Sequence, residues 1–359
     1  MKKICFLIGN MNLTGGTEKV TSLIANSLSE LENSEILILN IFGGDQPAFA
    51  IDPRVKLFTL FCKNKSMKTA FLLAIWKIRK FILQQEIDTL IVVDSISCVF
   101  TVPALIGLKV KHICWEHFSF LDSNLSKFRE LGRSWAALYC DEIVTLTERD
   151  RNFWYTNIKK IKANIVSISN PSPYEVFDYS PNININKKIF LAVGRLRYVK
   201  GFDLLIQAWA EFCKKNDKWT LRIVGSGEEE ENLKALASKL EVMDRIEFIP
   251  ATKNIDQFYK DASYLCVSSR FEGFGMVILE ALSYGLPVVS FNCEVGPIEL
   301  IDEKVGCLVP KGDYVGFSKK MLDFSVLDED VYSCMSYNGI LKAQQYSIDN
   351  VRSKWMNIL

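Results

Sequence analysis

The feature that most constrains the fold is an alternation of short apolar runs with helix-like stretches along all 359 residues. The runs are Ile4–Ile8, Ile36–Asn40, Thr89–Val93, His112–Trp115 and Glu142–Thr145, then Lys188–Val193, Trp219–Val224, Arg245–Ile249, Tyr264–Val267 and Pro287–Phe291. Runs that are apolar almost throughout are typical of parallel strands covered on both faces. The pattern predicts an α/β fold with two doubly wound, Rossmann-like domains.

A polar stretch rich in proline and asparagine separates the two sets of strands. It contains Ser169–Pro173 and the asparagine-rich segment Asn182–Lys187, which are typical of a linker. We therefore predict a first domain over residues 1–170, a linker over 171–187 and a second domain over 188–345. Because α/β proteins of this kind usually bind ligands between domains, we expect the two to face each other across a cleft.

Composition narrows the class of partner. The net charge is +1, but residues 1–170 carry 21 lysines and arginines against 16 aspartates and glutamates. A basic first half favours an anionic partner, such as a phosphorylated acceptor or an acidic membrane face. A pI near 7.4 without a dense basic stripe argues against nucleic acid.

The cysteines and the amino terminus predict a cytoplasmic protein. The ten cysteines show no CxxC spacing and there are only two histidines, so we expect buried free thiols rather than a zinc site or a disulfide framework. The apolar run near the start is too short for a signal peptide, and no run is long enough to span a membrane.

The most informative motif is the segment Ser268–Glu280, which joins a predicted strand to a predicted helix from about Gly275 to Tyr284. Its two acids, Glu272 and Glu280, lie eight residues apart, one in the loop and one on the helix. Free N–H groups at a helix start can bind a diphosphate, and carboxylates accept hydrogen bonds from sugar hydroxyls. The motif indicates a nucleotide-sugar site.

A second loop, Gly194–Asp203, also follows a strand and precedes a helix. Its cations Arg195 and Lys200 suit the diphosphate of a leaving nucleotide where no metal is present, although solvated loop cations are the usual alternative. No Asp-x-Asp occurs at a strand end, so we expect no carboxylate-bound Mg²⁺ or Mn²⁺.

Two features of the first half leave alternatives open. Gly15 and Gly16 precede a helix, where they form either an anion-binding start or a simple tight turn. His117 follows a strand beside Glu116, where it either contacts substrate and shuttles a proton or is structural.

Residues 63–80 contain an apolar, tryptophan-bearing centre between clusters of lysine and arginine. This composition is compatible with docking on an anionic membrane. The charges do not segregate to one face, so a core helix with charged ends is an equal alternative.

Taken together, these motifs resemble the retaining glycosyltransferases of family 4. The matching segments are Gly194–Asp203, Val224–Gly227, Glu272–Val288, Gly15–Glu18, the Glu116-His117 pair and the closing Tyr346–Trp355. The loop Phe291–Pro297 is similar to that of members that build bacterial surface polysaccharides.

The resemblance implies a GT-B fold with the last helix, about 346–359, packed back on the first, acceptor-binding domain. It implies that the donor diphosphate is bound by Arg195, Lys200, Gly16, Phe274, Gly275 and Met276. It places Glu280 on the ribose, and Glu272 and His117 as catalytic residues at the transferred sugar. No metal or other cofactor is expected.

The resemblance also implies the partners and the location. The expected donor is a nucleotide sugar, namely a UDP-sugar. The expected acceptor is a lipid-diphosphate-linked saccharide of O-antigen, capsule or lipopolysaccharide assembly, at the cytoplasmic face of the inner membrane. Two alternatives with this fold are an enzyme like UDP-N-acetylglucosamine 2-epimerase and a non-catalytic nucleotide-sugar-binding scaffold.

Overall fold

The computed structural model describes residues 1–62, 67–121, 126–174 and 185–359, with the backbone alone at 67–69. The chain forms two compact units, one of Met1–Pro173 with Ile348–Leu359 and the other of Tyr174–Ser347. Residues 175–184 of the predicted linker and 63–66 of the predicted membrane segment lie outside the described residues.

The first unit is a parallel sheet with helices between its strands. Its strands are β1 (Lys2–Ile8), β2 (Ser34–Phe42), β3 (Lys56–Phe61), β4 (Thr89–Val93), β5 (Lys111–Trp115), β6 (Glu142–Thr145) and β7 (Asn164–Ser167). Its first five helices are α1 (Gly16–Ser29), α2 (Met67–Gln85), α3 (Cys98–Leu105), α4 (Lys127–Tyr139) and α5 (Glu148–Asn157). The strand order is β3-β2-β1-β4-β5-β6-β7.

The second unit repeats this design. Its strands are β8 (Ile189–Val193), β9 (Thr220–Val224), β10 (Ile246–Ile249), β11 (Tyr264–Val267), β12 (Val288–Phe291) and β13 (Gly306–Val309). Its helices are α6 (Phe202–Cys213), α7 (Glu230–Lys239), α8 (Asp256–Lys260), α9 (Met276–Ser283), α10 (Gly296–Leu300), α11 (Tyr314–Ser325) and α12 (Glu329–Gln344). The strand order is β10-β9-β8-β11-β12-β13.

The predicted strands are confirmed, and three further strands escaped prediction. β4 and β11 are buried along their whole length, which is why they read as continuous apolar runs. The missed strands β3, β7 and β13 each lie at the edge of a sheet and are partly exposed.

A last helix, α13 (Ile348–Met356), belongs to the first unit and contacts α1. Its Val351 and Trp355 are buried. The Trp355 ring meets that of Trp115 edge-on at 4.9 Å, and the Arg352 guanidinium pairs with Glu30 on the loop after α1. The helix therefore completes the first core from a distant part of the chain.

Among the described residues, no helix combines the length and the apolar content that crossing a bilayer requires.

We predict that Trp355→Ala lowers the free energy of unfolding of the first unit by about 3–5 kcal/mol, because it leaves a cavity beside Trp115. Urea unfolding followed by circular dichroism measures the effect. Trp76→Ala is the control, because that side chain on α2 is 56% exposed and should matter little. Equal losses for the two variants would show that α13 is not part of the core.

Candidate functional site

In the second unit, the loops with the predicted site residues lie side by side. The chain runs outward from β8 through β9 to β10 and then returns to place β11 against the other side of β8. The loops after β8 and β11 thus flank a topological switch point, where open α/β sheets bind ligands. One loop carries Arg195 and Lys200, and the other carries Glu272.

The two loops are joined through Arg270. Its guanidinium makes two 2.7 Å contacts to the Asp203 carboxylate and donates to the Tyr198 carbonyl at 2.8 Å. The backbone N–H of Arg270 donates to the Val199 carbonyl at 2.8 Å. A two-pronged arginine–carboxylate pair fixes orientation as well as distance, so the loops are held in register.

Gly201 allows this close approach. It has φ +65°, and a Cβ there would lie 2.0 Å from the Ser268 carbonyl oxygen. Any other residue would push the loops apart.

Lys200 and Glu272 meet where the loops join. The Lys200 ammonium contacts Glu272 Oε2 at 2.7 Å, and the Ser269 hydroxyl donates to the same oxygen at 3.1 Å. Both charged side chains are partly exposed, at 26% and 14%. A cation and an acid are therefore paired at the switch point and remain accessible to a ligand.

The start of α9 lies in the same loop and offers free amides. The N–H groups of Ile278 and Leu279 both donate to the Gly275 carbonyl. Within the described residues, those of Phe274, Gly275 and Met276 donate to no backbone carbonyl. Gly275 begins the helix with φ +90°, a conformation open to glycine. The predicted helix is confirmed, and its first turn can bind an anion.

Arg195 and Glu280 lie apart from the Lys200–Glu272 pair, the first on the surface and the second inside the unit. Arg195 is exposed, and among the described residues no hydrogen bond or ion pair joins it to Lys200 or Glu272. Glu280 lies inside α9, is 6% exposed and accepts a 2.7 Å hydrogen bond from the Tyr259 hydroxyl. The sequence indicated Glu280 but gave no sign of Tyr259, whose contact depends on the packing of α8 against α9.

In the first unit, Gly16 and His117 lie at the carboxyl edge of the sheet. Gly16 is the first residue of α1, which follows β1, and His117 follows β5, with β4 between the two strands. Gly16 is exposed at this helix start. The switch point of this sheet lies between β1 and β4, so both residues are close to it in the strand order.

His117 is partly buried and packs against an aromatic neighbour. Its ring lies 4.4 Å from that of Trp115, tilted by 50°, and within the described residues its buried Nε2 has no hydrogen-bond partner. Burial lowers the pKa of His117 to about 4, against an opposing effect of the Glu116 charge. The imidazole is therefore neutral at pH 7 and offers one hydrogen-bond donor and one acceptor.

Glu116, beside His117, is the centre of a buried ionic cluster that sequence reasoning missed. Its carboxylate accepts from Arg133 Nε at 3.1 Å and from the Ser95 hydroxyl at 2.5 Å. Arg133 also donates to the carbonyls of Phe118, Ser119 and Phe120. The cluster fixes the backbone that follows His117.

Two acids near the carboxyl edge of the first sheet, Asp94 and Asp150, have raised pKa values. Burial raises the pKa of Asp94 to about 7, with a further contribution from the Glu116 charge, although Arg129 pairs with it at 2.8 Å. Burial likewise raises the pKa of Asp150 to about 7, while its carboxylate accepts from the Phe120 N–H. Both shifts reflect the cost of burying a charged carboxylate.

A second cluster, of sulfur and nitrogen ligands, lies in the core of the first unit. Ligand atoms of Cys98, His112 and Cys140 lie within 4.8 Å of one another, and Cys140 Sγ is 3.4 Å from His112 Nδ1. A closed zinc site takes four protein ligands, and this group supplies three. Burial raises the pKa of Cys140, which favours the neutral thiol. The arrangement suits a thiol packed against a neutral imidazole.

Comparison with known proteins identifies relatives of both units. Residues 175–340 match the family model described as Glycosyl transferases group 1. Over 359 residues the chain is 36% identical to a Haemophilus influenzae protein named "Uncharacterized glycosyltransferase", covering 100% of both chains.

Two further comparisons concern a relative and a solved structure. The Campylobacter jejuni protein "GalNAc-alpha-(1->4)-GalNAc-alpha-(1->3)-diNAcBac-PP-undecaprenol alpha-1,4-N-acetyl-D-galactosaminyltransferase" is 24% identical, covering 100% of this chain and 98% of its own. Anabaena HepE, solved with UDP and glucose, has a TM-score of 0.81 at 18% identity, covering 100% of this chain and 99% of that one. Such structural likeness confirms the predicted GT-B fold.

We predict that His112 makes stability depend on pH. Burial lowers its pKa to about 4, against an opposing effect of Asp141, so the unfolded histidine takes up a proton near pH 6.5 while the buried one does not. This contribution to stability is present above about pH 6.5 and is lost as pH falls toward 4. Between pH 7.5 and pH 5, wild type should lose about 2 kcal/mol relative to His112→Phe in urea unfolding. Asp94 and Asp150 titrate alike in wild type and in His112→Phe, so their contributions cancel in the difference between the two free energies of unfolding. Identical pH profiles would contradict the prediction.

Proposed function

This chain belongs to the glycosyltransferases, and we propose that it moves a sugar from a UDP-sugar to a lipid-diphosphate-linked saccharide during bacterial surface polysaccharide assembly. We further propose that transfer retains the anomeric configuration, as in family 4, and needs no divalent metal. The observation that carries the proposal is the Lys200–Glu272 pair beside the free amides of α9.

In this proposal the donor diphosphate lies against the α9 start, with Lys200 and Arg195 supplying positive charge. The amides of Phe274, Gly275 and Met276 are donors for phosphate oxygens. Such preorganised donors stabilise the charge that develops as the nucleotide leaves. The resemblance to HepE, whose structure contains UDP and glucose, supports a UDP-sugar as donor.

The acids are assigned to hydroxyl groups. Glu272 accepts hydrogen bonds from hydroxyls of the transferred sugar, while its Oε2 also accepts one from the Lys200 ammonium. Glu280 accepts from the ribose. From the first unit, we assign the transferred sugar to His117 and the diphosphate to Gly16, on the resemblance alone.

Transfer proceeds on one face of the sugar. The bond from the anomeric carbon to the leaving phosphate oxygen breaks, and a bond from that carbon to the acceptor oxygen forms on the same side. The acceptor proton passes to the leaving phosphate oxygen. Glu272 is not a nucleophile in this scheme, in keeping with its pairing to Lys200.

Two observations support a lipid-diphosphate acceptor. The Campylobacter jejuni relative is named for an acceptor linked to undecaprenol through a diphosphate. Residues 1–170 carry an excess of cations, which suits an anionic acceptor.

We expect turnover when the full chain is given a panel of UDP-, GDP- and ADP-sugars with a diphosphate-lipid-linked saccharide. The released nucleotide identifies the donor, and NMR of the product gives the anomeric configuration. Turnover should survive EDTA. An inverted product would contradict retention, EDTA inhibition reversed by Mg²⁺ would contradict metal independence, and no turnover with any donor would favour the non-catalytic scaffold.

We predict that Lys200→Ala lowers kcat/KM for the donor about 10²–10³-fold, because it removes the cation paired with Glu272 at the proposed diphosphate site. The control is Lys214→Ala, which removes an exposed lysine paired with Glu211 at the end of α6. Equal activities of the two variants would place the leaving group elsewhere.

We also propose peripheral docking on the anionic cytoplasmic face of the inner membrane through α2. One face of this helix is buried through Ala74, Ile78 and Ile82. The opposite face exposes Leu72 (78%) and Trp76 (56%), which lie one turn apart. An amphipathic helix has one apolar face, whereas α2 has two, so the exposed one lacks a partner within this chain's described residues.

Cations accompany this exposed face. The Lys80 ammonium lies over the Trp76 ring, 5.2 Å from its centre. The loop after α3 exposes Ile106 and Lys109, and the Arg79 guanidinium donates to the Ile106 carbonyl there. Exposed apolar side chains flanked by lysines match an anionic lipid surface. By contrast, Lys77 and Arg79 donate to backbone carbonyls, so their reversal would disturb the fold.

We predict that Leu72→Ala with Trp76→Ala lowers binding to phosphatidylglycerol-containing vesicles about tenfold or more, through lost apolar burial. Lys80→Glu should weaken binding further at low salt. Vesicle co-sedimentation measures both effects. Val326→Ala, equally exposed in the second unit, is the control. Binding that ignores both anionic lipid and these changes would overturn the docking proposal.

A further inference from the structure

Glu280 is held by a tyrosine from a different helix. Tyr259 lies in α8, is fully buried and donates its hydroxyl to Glu280 Oε2 at 2.7 Å. The two residues are 21 positions apart in sequence. The contact therefore depends on how α8 packs against α9.

Aromatic packing fixes the position of this hydroxyl. The Tyr259 ring stacks nearly parallel on that of Tyr284, at 5.4 Å and 11°. Tyr284 in turn meets Tyr174 edge-on at 4.9 Å, and the Tyr174 hydroxyl donates to Asp256 at the start of α8. Stacking on one face and complete burial restrict the Tyr259 ring and therefore the position of its hydroxyl.

The chemistry of the pair gives the hydroxyl a definite role. Burial, with the charge of Glu280, raises the pKa of Tyr259 well above its ordinary value, so the phenol keeps its proton and donates. A carboxylate that is 6% exposed depends on such donors for its hydrogen bonds and its orientation. Because Tyr259 holds Oε2, it restricts the direction in which the carboxylate points.

We infer that Tyr259 is a positioning residue of the nucleotide site, acting through Glu280 to hold its carboxylate where ribose hydroxyls can donate to it. The inference rests on the proposed function, because it takes Glu280 as the ribose contact. It goes beyond that proposal by naming a residue of α8, which lies outside the segment Ser268–Glu280.

The test compares ligands with and without ribose hydroxyls. Titration calorimetry measures the affinity of the full chain for UDP and for 2′,3′-dideoxy-UDP, with GDP and ADP and their dideoxy forms run in parallel. Tyr259→Phe removes the hydroxyl and keeps the stacking ring. We expect it to weaken UDP binding about tenfold, as for loss of a hydrogen bond to a charged group, and to change dideoxy-UDP binding less than twofold. In turnover assays, KM for the donor should rise more than kcat falls.

Two variants serve as controls. Tyr264→Phe removes another buried hydroxyl of the second unit, which donates to the Phe324 carbonyl at 2.7 Å, and should leave both affinities unchanged. Glu280→Gln should reproduce the loss of ribose discrimination.

The outcomes distinguish failure of the Tyr259 positioning role from failure of the proposed function. Suppose that wild type binds UDP, and that Tyr259→Phe either lowers the affinities for UDP and dideoxy-UDP equally or changes neither affinity. The positioning role is then wrong, while the proposed function stands. If wild type binds no nucleoside diphosphate, the proposed function fails and this inference with it.

Discussion

The contact between the loops after β8 and β11 is the constraint on which the donor-side arrangement depends. Lys200 and Glu272 are 72 residues apart and have a fixed distance because Arg270 clamps one loop to Asp203 on the other side. Gly201 allows the backbones to touch. A parallel sheet with a crossover brings such loops together, and the clamp turns their proximity into a defined geometry.

The first unit achieves order by a different route, through buried charge. Glu116 is neutralised by Arg133 and lies next to a histidine that burial keeps neutral. Buried ion pairs contribute little net stability when both partners are present, but breaking one is costly. The cluster therefore specifies the conformation of the strand end more than it stabilises the fold. The neighbouring His117 is uncharged at neutral pH, because burial lowers its pKa.

The sequence predicted those features whose cause is local. The continuous apolar runs of β4 and β11 and the glycine before α9 each follow from a few adjacent residues, and the structure contains all three. Tyr259 and Arg270 could not be found this way, because their partners come from other elements. The same holds for the Cys98, His112 and Cys140 cluster, whose members lie on three elements and show no ligand spacing. The edge strands β3, β7 and β13 were also missed, and each is less completely buried than β4 or β11.

The position of α13 has a consequence for how the protein is made. This helix follows the entire second unit in the chain, yet its Trp355 fills the core of the first. Because synthesis delivers the amino-terminal part first, the first unit emerges from the ribosome with the surface around Trp115 uncovered. It stays so while the ribosome adds the residues of the second unit. The nascent first unit thus carries an apolar opening until translation reaches α13, and that interval is when it is most exposed to aggregation and to chaperones.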